Sequence, residues 1–534
     1  MKGALYKIVK KKLGKFLLAF VLLIFSTILT IPIPLLTREI VNFITGQEIN
    51  IPFSFTFLVT FVVVLIIAKE LLLFTSYKIF ETENRKLIAN LREFLFEIVQ
   101  RNYEQFADYK PTRIFTYISS DCDRIQGFIY PSLVYFCRDL FTFMFSLIAG
   151  FYISGLLFLI PLTFVFVFLV LVKWVSRMIK ELSMKTVEAH TEFVSRLTEY
   201  IRGMETFRVN LRENYALSKF SEFNKNFTSA DIRRIRRIVT LNFPLALIFS
   251  GGYIITLVMG AVLVKSGSLQ IGSLFAVLMV SGYLFESSRS FWDFVLHLKE
   301  FEVVLERIKD VLKVQNLVPN RGKQNLREIS EIRVSVDAFT YNDDNQELLK
   351  GINFVIKKGE ILGIVGKNGA GKSTLIKIVL GLIGSEKNYV KVNGIPLGEY
   401  SIEDYFNKVA YLSQYPVVFR GTVKENILLG EEFPVDNEVE GLLVGIPMDH
   451  IIEEGGKNLS GGEKQKICLA RVLSRKKDVY LLDEPTSHLD FKSIGVLERI
   501  LREKSKDSII IVVSHGADFI QKVSDKVVNI SRVS

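Results

Sequence analysis

The sequence predicts an all-α transmembrane domain of six long helices, followed by an α/β domain built around a phosphate-binding loop. Of the 534 residues, 49% are hydrophobic and 23% are charged, and the mean hydropathy is +0.30. That combination is typical of a chain with one part in lipid and another in water. Long uncharged runs fill the first half, whereas β-branched runs alternate with helical segments after residue 331.

Six membrane spans are predicted within residues 1–315. A helix needs about 20 apolar residues to cross roughly 30 Å of hydrocarbon. Apolar runs of that length predict spans at about residues 16–37, 51–75, 131–153, 155–174, 240–264 and 266–287. The uncharged run 140–172 is too long for one crossing, so Ile153-Ser154-Gly155 is interpreted as the turn between the third and fourth spans.

Basic residues predict the orientation of the spans. Residues 1–330 contain 40 Lys and Arg against 27 Asp and Glu, whereas the remainder is close to neutral. Lysines precede the first span, and arginines such as Arg233 and Arg236 follow the fourth, as is typical of cytoplasmic segments. We therefore expect a multi-pass protein of the cell membrane, with both termini and the soluble domain in the cytoplasm. The basic excess lies beside membrane spans, which argues against nucleic-acid binding.

Two long segments, at about residues 69–138 and 173–237, extend into the cytoplasm between spans. Their helical periodicity predicts helices that reach about 35–40 Å below the membrane. The tips of these helices pack on each other or touch the soluble domain, and the sequence leaves both open. Four charged residues near span ends either mark a substrate path or lie at cytoplasmic helix ends, and their positions favour the second alternative: Lys69, Glu70, Arg138 and Asp139. Residues 316–330 are a predicted linker, and 331–534 form the soluble domain.

The strongest motif is the phosphate loop, which fits G-x-x-x-x-G-K-[ST] in full. It reads Gly366-Lys367-Asn368-Gly369-Ala370-Gly371-Lys372-Ser373-Thr374. A buried-strand run precedes it and a helical run follows, so a glycine-rich turn without a nucleotide is disfavoured. Backbone N–H groups in such a loop surround phosphate oxygens at a helix N-terminus. We expect Lys372 to pair with the β- and γ-phosphates, and the Ser373 hydroxyl to bind Mg²⁺.

Two further segments carry candidate chemistry. An apolar strand, 479–482, ends in Asp483-Glu484. A carboxylate at that place suits Mg²⁺ coordination, and its neighbour Glu484 would polarise the attacking water. Between loop and strand lies Ser460-Gly461-Gly462, which opens a helix. A helix N-terminus with free backbone N–H groups is an anion site, but taken alone this segment is interpreted first as a structural N-cap.

At this point the sequence resembles the ATP-binding cassette (ABC) transporters. The segment from Ser460 is similar to the signature motif of that family, and Asp483-Glu484 to its Walker B end. Tyr341 resembles the aromatic residue that stacks on adenine, Gln414 the Q-loop glutamine, and His515 the switch histidine. Ser487-His488-Leu489-Asp490 is similar to the D-loop. The resemblance implies an α/β P-loop NTPase (ABC ATPase) fold for residues 331–534, with ATP and Mg²⁺ as cofactors.

The resemblance also assigns roles to single positions. The implied catalytic residues are Glu484, His515, Gln414 and Lys372. The implied nucleotide-binding residues are Tyr341, Gly366, Asn368, Gly369, Ala370, Gly371, Lys372, Ser373, Thr374, Ser460, Gly461, Gly462 and Asp490. The implied metal ligands are Ser373, Gln414 and Asp483.

The membrane half resembles the exporter branch, because its spans precede the cassette on one chain. That resemblance implies a half-transporter that needs a second half, identical or different, with coupling helices at about 111–124 and 199–208. It implies export of a small molecule, lipid or peptide, whose identity the sequence leaves open. An ATP-gated channel or regulator is the alternative, and an ATPase merely anchored to the membrane is disfavoured by six spans. No peptidase domain precedes residue 16, so we do not expect cleavage-coupled peptide export.

Overall fold

A computed structural model describes residues 2–49, 53–102, 106, 111–314, 322, 324–340, 348–367, 369–384 and 387–531. The chain divides into two compact units, Met1–Leu317 and Val318–Ser534. The first unit is helical, and the second contains all the strands of the described residues.

The helices of the first unit are long because uninterrupted apolar runs continue into the amphipathic segments that the sequence predicts to be cytoplasmic. They are α1 Lys2–Ile28, α2 Pro32–Ile44, α3 Phe55–Arg101, α4 Pro111–Ile118, α5 Ser120–Gly127, α6 Val134–Arg202, α7 Met204–Val209, α8 Glu213–Lys265 and α9 Ile271–Val314, with a π-helical turn at Phe128–Leu133. At 1.5 Å per residue, a helix the length of α3 extends about 70 Å, far beyond the hydrocarbon thickness.

Five stretches of the described helices are long and apolar enough to cross a membrane: Leu13–Ile44, Phe55–Arg101, Arg113–Val172, Glu213–Lys265 and Ile271–Lys309. The predicted third and fourth spans both fall in the third stretch. Within α6 the helix is broken at Ser154, whose φ of −161° and ψ of 91° are not helical. Ser154 lies inside the turn that the sequence predicts between these two spans.

Two predicted span boundaries differ from the helices observed. The first predicted span, 16–37, is interrupted between α1 and α2, where Pro32 and Pro34 supply no backbone N–H to continue the helix. The helix of the sixth predicted span, α9, begins at Ile271 rather than at residue 266. Residues 266–270 form a turn instead, in which Gly267 has φ +75°. Hydropathy misses both breaks, since the residues involved are uncharged.

The two largest apolar clusters among the described residues of the first unit lie at different levels of the helices. Near the predicted hydrocarbon region, Leu157 and Phe158 of α6 pack with Val277 of α9. In the predicted cytoplasmic extension, Leu95 of α3, Tyr117 of α4 and Ile308 of α9 belong to a second buried cluster. Burial of these side chains provides the main free energy that fixes the helix arrangement.

The second unit combines three sheets with short helices. Its strands are β1 Glu331–Phe339, β2 Leu349–Lys357, β3 Ile361–Gly366, β4 Val390–Val392, β5 Ile395–Pro396, β6 Val409–Leu412, β7 Gly421–Thr422, β8 Ile451–Ile452, β9 Val479–Asp483, β10 Ile509–Val513 and β11 Lys526–Ile530. Its α-helices are α10 Lys372–Val379, α11 Ile402–Lys408, α12 Val423–Leu428, α13 Asn437–Glu440, α14 Gly461–Leu473, α15 Phe491–Ser505 and α16 Ala517–Val523.

The central sheet of this unit is parallel, with strand order β11-β3-β10-β9-β6. Strands β9 and β10 are buried along their whole length, as their continuous apolar sequences predict for a sheet covered on both faces. An antiparallel sheet, β2-β1-β4-β5, shares a core with α10 and one face of the parallel sheet. Because parallel strands end at a common edge, residues following β3, β10, β9 and β6 are brought together there.

Candidate active site

The carboxyl edge of the parallel sheet forms a cavity of about 260 Å³. It is lined by Leu348, Gly369, Ala370, Gly371, Lys372, Ser373, Thr374, Gln414, Asp483, Glu484 and His515. Apart from Leu348, which precedes β2, these residues lie at or after the ends of four neighbouring strands that are far apart in sequence. The structure therefore gathers the phosphate loop, the two carboxylates, the glutamine and the histidine that the sequence singles out.

The phosphate loop runs from the end of β3 into α10. Gly371, the residue before α10, has φ +90°, and a Cβ atom there would lie 2.5 Å from Leu349, so only glycine fits without strain. Lys372 is 8% exposed, and its Nζ donates to the carbonyl oxygens of Gly366 at 2.7 Å and Lys367 at 3.2 Å. Burial lowers the pKa of Lys372, while the nearby Glu484 and Asp483 oppose that shift. The loop thus places the Lys372 ammonium group beside the N-terminus of α10.

The end of β9 places a carboxylate beside the phosphate loop. The Ser373 hydroxyl donates to Asp483 Oδ2 at 3.3 Å. Asp483 is 3% exposed, and burial raises the pKa of its carboxyl group to about 6. No cluster of three or more His, Cys, Asp or Glu side chains suited to a metal occurs among the described residues. A hydroxyl, a carboxylate and the nearby Gln414 are nevertheless the hard oxygen donors that suit Mg²⁺ held partly by substrate phosphates.

Glu484 adopts a backbone conformation that is rare for a residue with a side chain. Its φ is +50°, and its N–H donates to Val513 O at 2.8 Å. Its Oε2 accepts from the Ser514 hydroxyl and the His515 N–H, both at 3.3 Å. Its Oε1 lies 3.4 Å from His515 Nε2, and it is buried without a hydrogen bond among the described residues. One carboxylate oxygen is thus held while the other is able to accept from a water molecule.

Gln465 is a residue that the sequence analysis did not single out. It is fully buried on α14, and its Nε2 donates to the carbonyl oxygens of Glu484 and Pro485, both at 3.2 Å. A signal was available, because Gln465 lies three and four residues before Cys468 and Leu469, on the apolar face of the helix. A glutamine at a core position of a helix needs buried hydrogen-bond partners, and here the segment at the end of β9 supplies them.

The predicted signature and D-loop residues lie outside this cavity. Ser460 caps α14, since its hydroxyl accepts from Glu463 N–H at 3.2 Å while Glu463 Oε2 accepts from Ser460 N–H at 2.7 Å. Gly461 and Gly462 form the first turn of that helix. Asp490 caps α15 and pairs with Lys466 at 2.8 Å, and these contacts lower the pKa of Asp490. Tyr341 and Asn368 lie outside the described residues.

Comparison with known proteins gives two family matches on this chain. The family model for the ABC transporter transmembrane region matches residues 16–288, and the model described as ABC transporter matches residues 349–487. A protein of Staphylococcus aureus strain NCTC 8325 named for multidrug export, an ATP-binding/permease protein, is 27% identical over 464 residues, 83% of this chain and 79% of its own. A protein of the same name from the bovine strain RF122 is 26% identical over the same shares.

Among solved structures, a bacterial Atm1-family ABC exporter with ATP bound has a TM-score of 0.81 and 18% sequence identity. The similarity covers 98% of this chain and 95% of the other. The fold of this chain is therefore similar to that of the exporter over both units.

Proposed function

This chain belongs to the ABC transporter family, and from that membership we propose that it is an ATP-driven exporter that acts as a half-transporter within a dimer. The observation that carries the proposal is the cavity at the carboxyl edge of the parallel sheet. It unites the phosphate loop with Asp483, Glu484, Gln414 and His515. The six spans that the sequence predicts on the same chain would form the membrane part of the transporter, and five stretches of the described helices are long and apolar enough to cross a membrane.

Each group of residues in the cavity has its own role in the hydrolysis of ATP. Backbone N–H groups of the phosphate loop and Lys372 hold the β- and γ-phosphates. Glu484 Oε1 accepts a hydrogen from the attacking water and aligns it with the γ-phosphorus, while Ser514 and His515 N–H keep Oε2 in place. The His515 ring, 3.3 Å from Lys372 Nζ, contacts the γ-phosphate and senses its loss.

A magnesium ion fits the same donor set. Ser373 and Asp483 would hold it, with Gln414 contributing when the cavity closes. When bound, the ion neutralises charge on the phosphates during transfer. Burial raises the pKa of Asp483 to about 6, which is still below neutral pH, so the carboxylate remains available as a metal ligand there.

Dimer formation explains why the signature residues lie away from the cavity of their own chain. Ser460, Gly461 and Gly462 form an exposed helix N-terminus, which would contact the γ-phosphate of ATP held by a second copy. ATP then joins two ATPase domains, and hydrolysis weakens that junction. The difference in affinity between closed and open states supplies the work of export. A dimer of identical chains and one with a different partner both satisfy this requirement.

The export proposal includes a location and a direction. The protein lies in the cell membrane with both termini and the ATPase domain in the cytoplasm, as the lysines before the first span favour. The helices α4, α5 and α7 occupy the predicted coupling segments, 111–124 and 199–208, and would carry domain closure to the spans. The relatives named for multidrug export favour small apolar or amphipathic molecules moving outward.

The test reconstitutes the full chain in liposomes and follows a fluorescent amphiphile with ATP supplied outside. Outward-facing ATPase domains should drive uptake against the gradient in the wild type, and Glu484→Gln should abolish it. Flux that only runs down the gradient would identify an ATP-gated channel instead. ATPase activity from a strictly monomeric preparation at the wild-type rate would contradict the shared site.

A further inference from the structure

The transmembrane unit contains a polar cavity that ATP chemistry does not explain. It has a volume of about 110 Å³ and lies among α1, α3, α6 and α9. Four ionisable side chains line it: Lys69, Arg138, Asp139 and Glu286. Ionisable groups within membrane spans are costly to bury, so their convergence on one cavity marks a functional site.

The two cations of this cavity are already neutralised. Arg138 Nε donates to Asp139 Oδ1 at 2.6 Å, and Arg138 Nη1 donates to the Tyr77 hydroxyl at 2.9 Å. Lys69 Nζ lies 3.2 Å from Glu70 Oε1. A ligand carboxylate or phosphate would have to compete with a carboxylate already paired with either cation.

Glu286 is the charge that remains. In the part of the chain that the structure describes, neither an ion pair nor a hydrogen bond joins its carboxylate, and its side chain is exposed. With the Arg138–Asp139 and Lys69–Glu70 pairs counted as neutral, the cavity therefore carries one net negative charge. A carboxylate without a partner favours a cationic ligand.

The hydroxyl groups around the cavity act in the same direction. Five of them donate their only hydrogen to a backbone carbonyl three or four residues earlier in the chain: Ser26 and Thr27 to Leu23, Thr30 to Ser26, Thr142 to Arg138, and Ser287 to Tyr283. The Tyr283 hydroxyl also lines the cavity. A hydroxyl that has donated keeps its oxygen lone pairs as acceptors. The wall of the cavity is therefore rich in acceptors, and it calls for a ligand that donates hydrogen bonds.

We propose that this cavity binds the transported substrate through a protonated primary or secondary amine. The ammonium group pairs with Glu286, and its N–H hydrogens reach the hydroxyl oxygens. A quaternary ammonium carries the same charge without N–H donors, so it binds more weakly, and a carboxylate is repelled. This assignment of the substrate class and site rests on the proposed function as an exporter.

The experiment measures binding without nucleotide, in nanodiscs holding the full chain, with empty nanodiscs correcting for partition into lipid. The probes are dansylcadaverine, its N,N,N-trimethyl derivative, and a dansyl carboxylate of the same chain length. We expect the amine to bind the wild type at least about tenfold more tightly than either analogue, a difference of about 1.4 kcal/mol.

Two variants identify the carboxylate responsible. Glu286→Gln keeps the size of the side chain and removes its charge, and it should weaken amine binding at least about tenfold. It should weaken the trimethyl probe as well, but by a smaller factor, because that probe loses only the charge attraction and no hydrogen bond. Glu93→Gln is the matched control, because Glu93 is exposed on the cytoplasmic part of α3, away from the cavity. Its amine affinity should equal that of the wild type, and equal melting temperatures confirm that both variants are folded.

Several results would overturn the proposal. These are no binding of the amine to the wild type, equal affinity for the amine and its trimethyl derivative, tightest binding of the carboxylate, or an unchanged affinity in Glu286→Gln. None of them touches ATP-driven export, since nucleotide is absent. Conversely, amine binding without ATP-driven movement of any probe would count against export and leave the site assignment intact.

Discussion

Gln465→Met tests whether the signature helix positions the catalytic carboxylate. Methionine is similar in length and keeps the buried site filled, but it cannot donate a hydrogen bond. The wild-type Gln465 Nε2 holds the carbonyl oxygens of Glu484 and Pro485, each at 3.2 Å. Those bonds restrain a residue whose φ of +50° is itself unfavourable.

The expected magnitude follows from these contacts. In the variant, Glu484 O loses the hydrogen bond from Gln465 but still accepts from Ser487 N–H at 3.1 Å. Losing the Gln465 bond at this oxygen therefore costs about 1 kcal/mol. The buried Pro485 carbonyl loses the hydrogen bond from Gln465 Nε2, and leaving that oxygen without this donor costs about 1–3 kcal/mol. Gln465 Oε1 is buried without a hydrogen-bond partner among the described residues, and removing it returns part of that loss. A net loss of about 2 kcal/mol in the transition state lowers kcat about 30-fold, at about 1.36 kcal/mol per tenfold.

The assay is phosphate release from the full chain in nanodiscs, with ATP varied to separate kcat from KM. We expect kcat to fall about 30-fold with KM for ATP within about threefold, because the phosphate loop is untouched. Val472→Ala, on the same helix and buried in the core, is the control for general destabilisation. The reasoning is refuted if both variants lower the melting temperature equally and neither changes kcat, or if Gln465→Met acts on KM alone.

Three further predictions concern the ATP site. Glu484→Gln should slow hydrolysis at least about 100-fold while a fluorescent ATP analogue still binds, since the amide cannot take the water's proton; unchanged turnover would remove Glu484 from this role. Ser460→Arg should abolish turnover yet leave nucleotide binding to single domains nearly intact, and full activity would contradict the shared site. Asp483→Asn should stabilise the nucleotide-free protein at pH 7.5, because the folded state raises this pKa from 3.8 to about 6, a difference worth about 3 kcal/mol. In the wild type, the free-energy cost of ionising Asp483 in the folded protein is absent below about pH 4, where the carboxyl group is protonated in both the folded and the unfolded state. This cost grows as the pH rises to about 6. Thermal melts at pH 7.5 and at low pH check the sign, and a stabilisation independent of pH would contradict it.

Much of the ATP site was predictable because its parts are local. The phosphate loop, the Asp483-Glu484 pair at a strand end and the Ser460 cap each occupy a few consecutive residues, and each motif carries its own backbone requirement. Gln465 escaped notice because a single glutamine acquires meaning only once its carbonyl partners are known. Its partners lie about 20 residues away, beyond a strand and a turn.

The transmembrane half shows a similar division. Apolar length predicted the spans and the turn at Ser154, yet it missed the break before Pro32 and the late start of α9, because uncharged turns look like helices to hydropathy. From the sequence, the charged residues Lys69 and Arg138 are interpreted as lying at cytoplasmic helix ends rather than along a substrate path. Packing places both on the wall of one cavity with Glu286.

The sequence by itself determined the kinds of structure present, since hydrophobic periodicity and contiguous motifs depend only on neighbours along the chain. It also determined the family and the ATP chemistry. Only the tertiary structure decided which separated segments meet: four strand ends around one phosphate cavity, and four helices around one polar pocket. The physical reason is that side-chain packing selects among the many ways of assembling the same helices and strands, and that selection involves contacts between residues far apart in the chain.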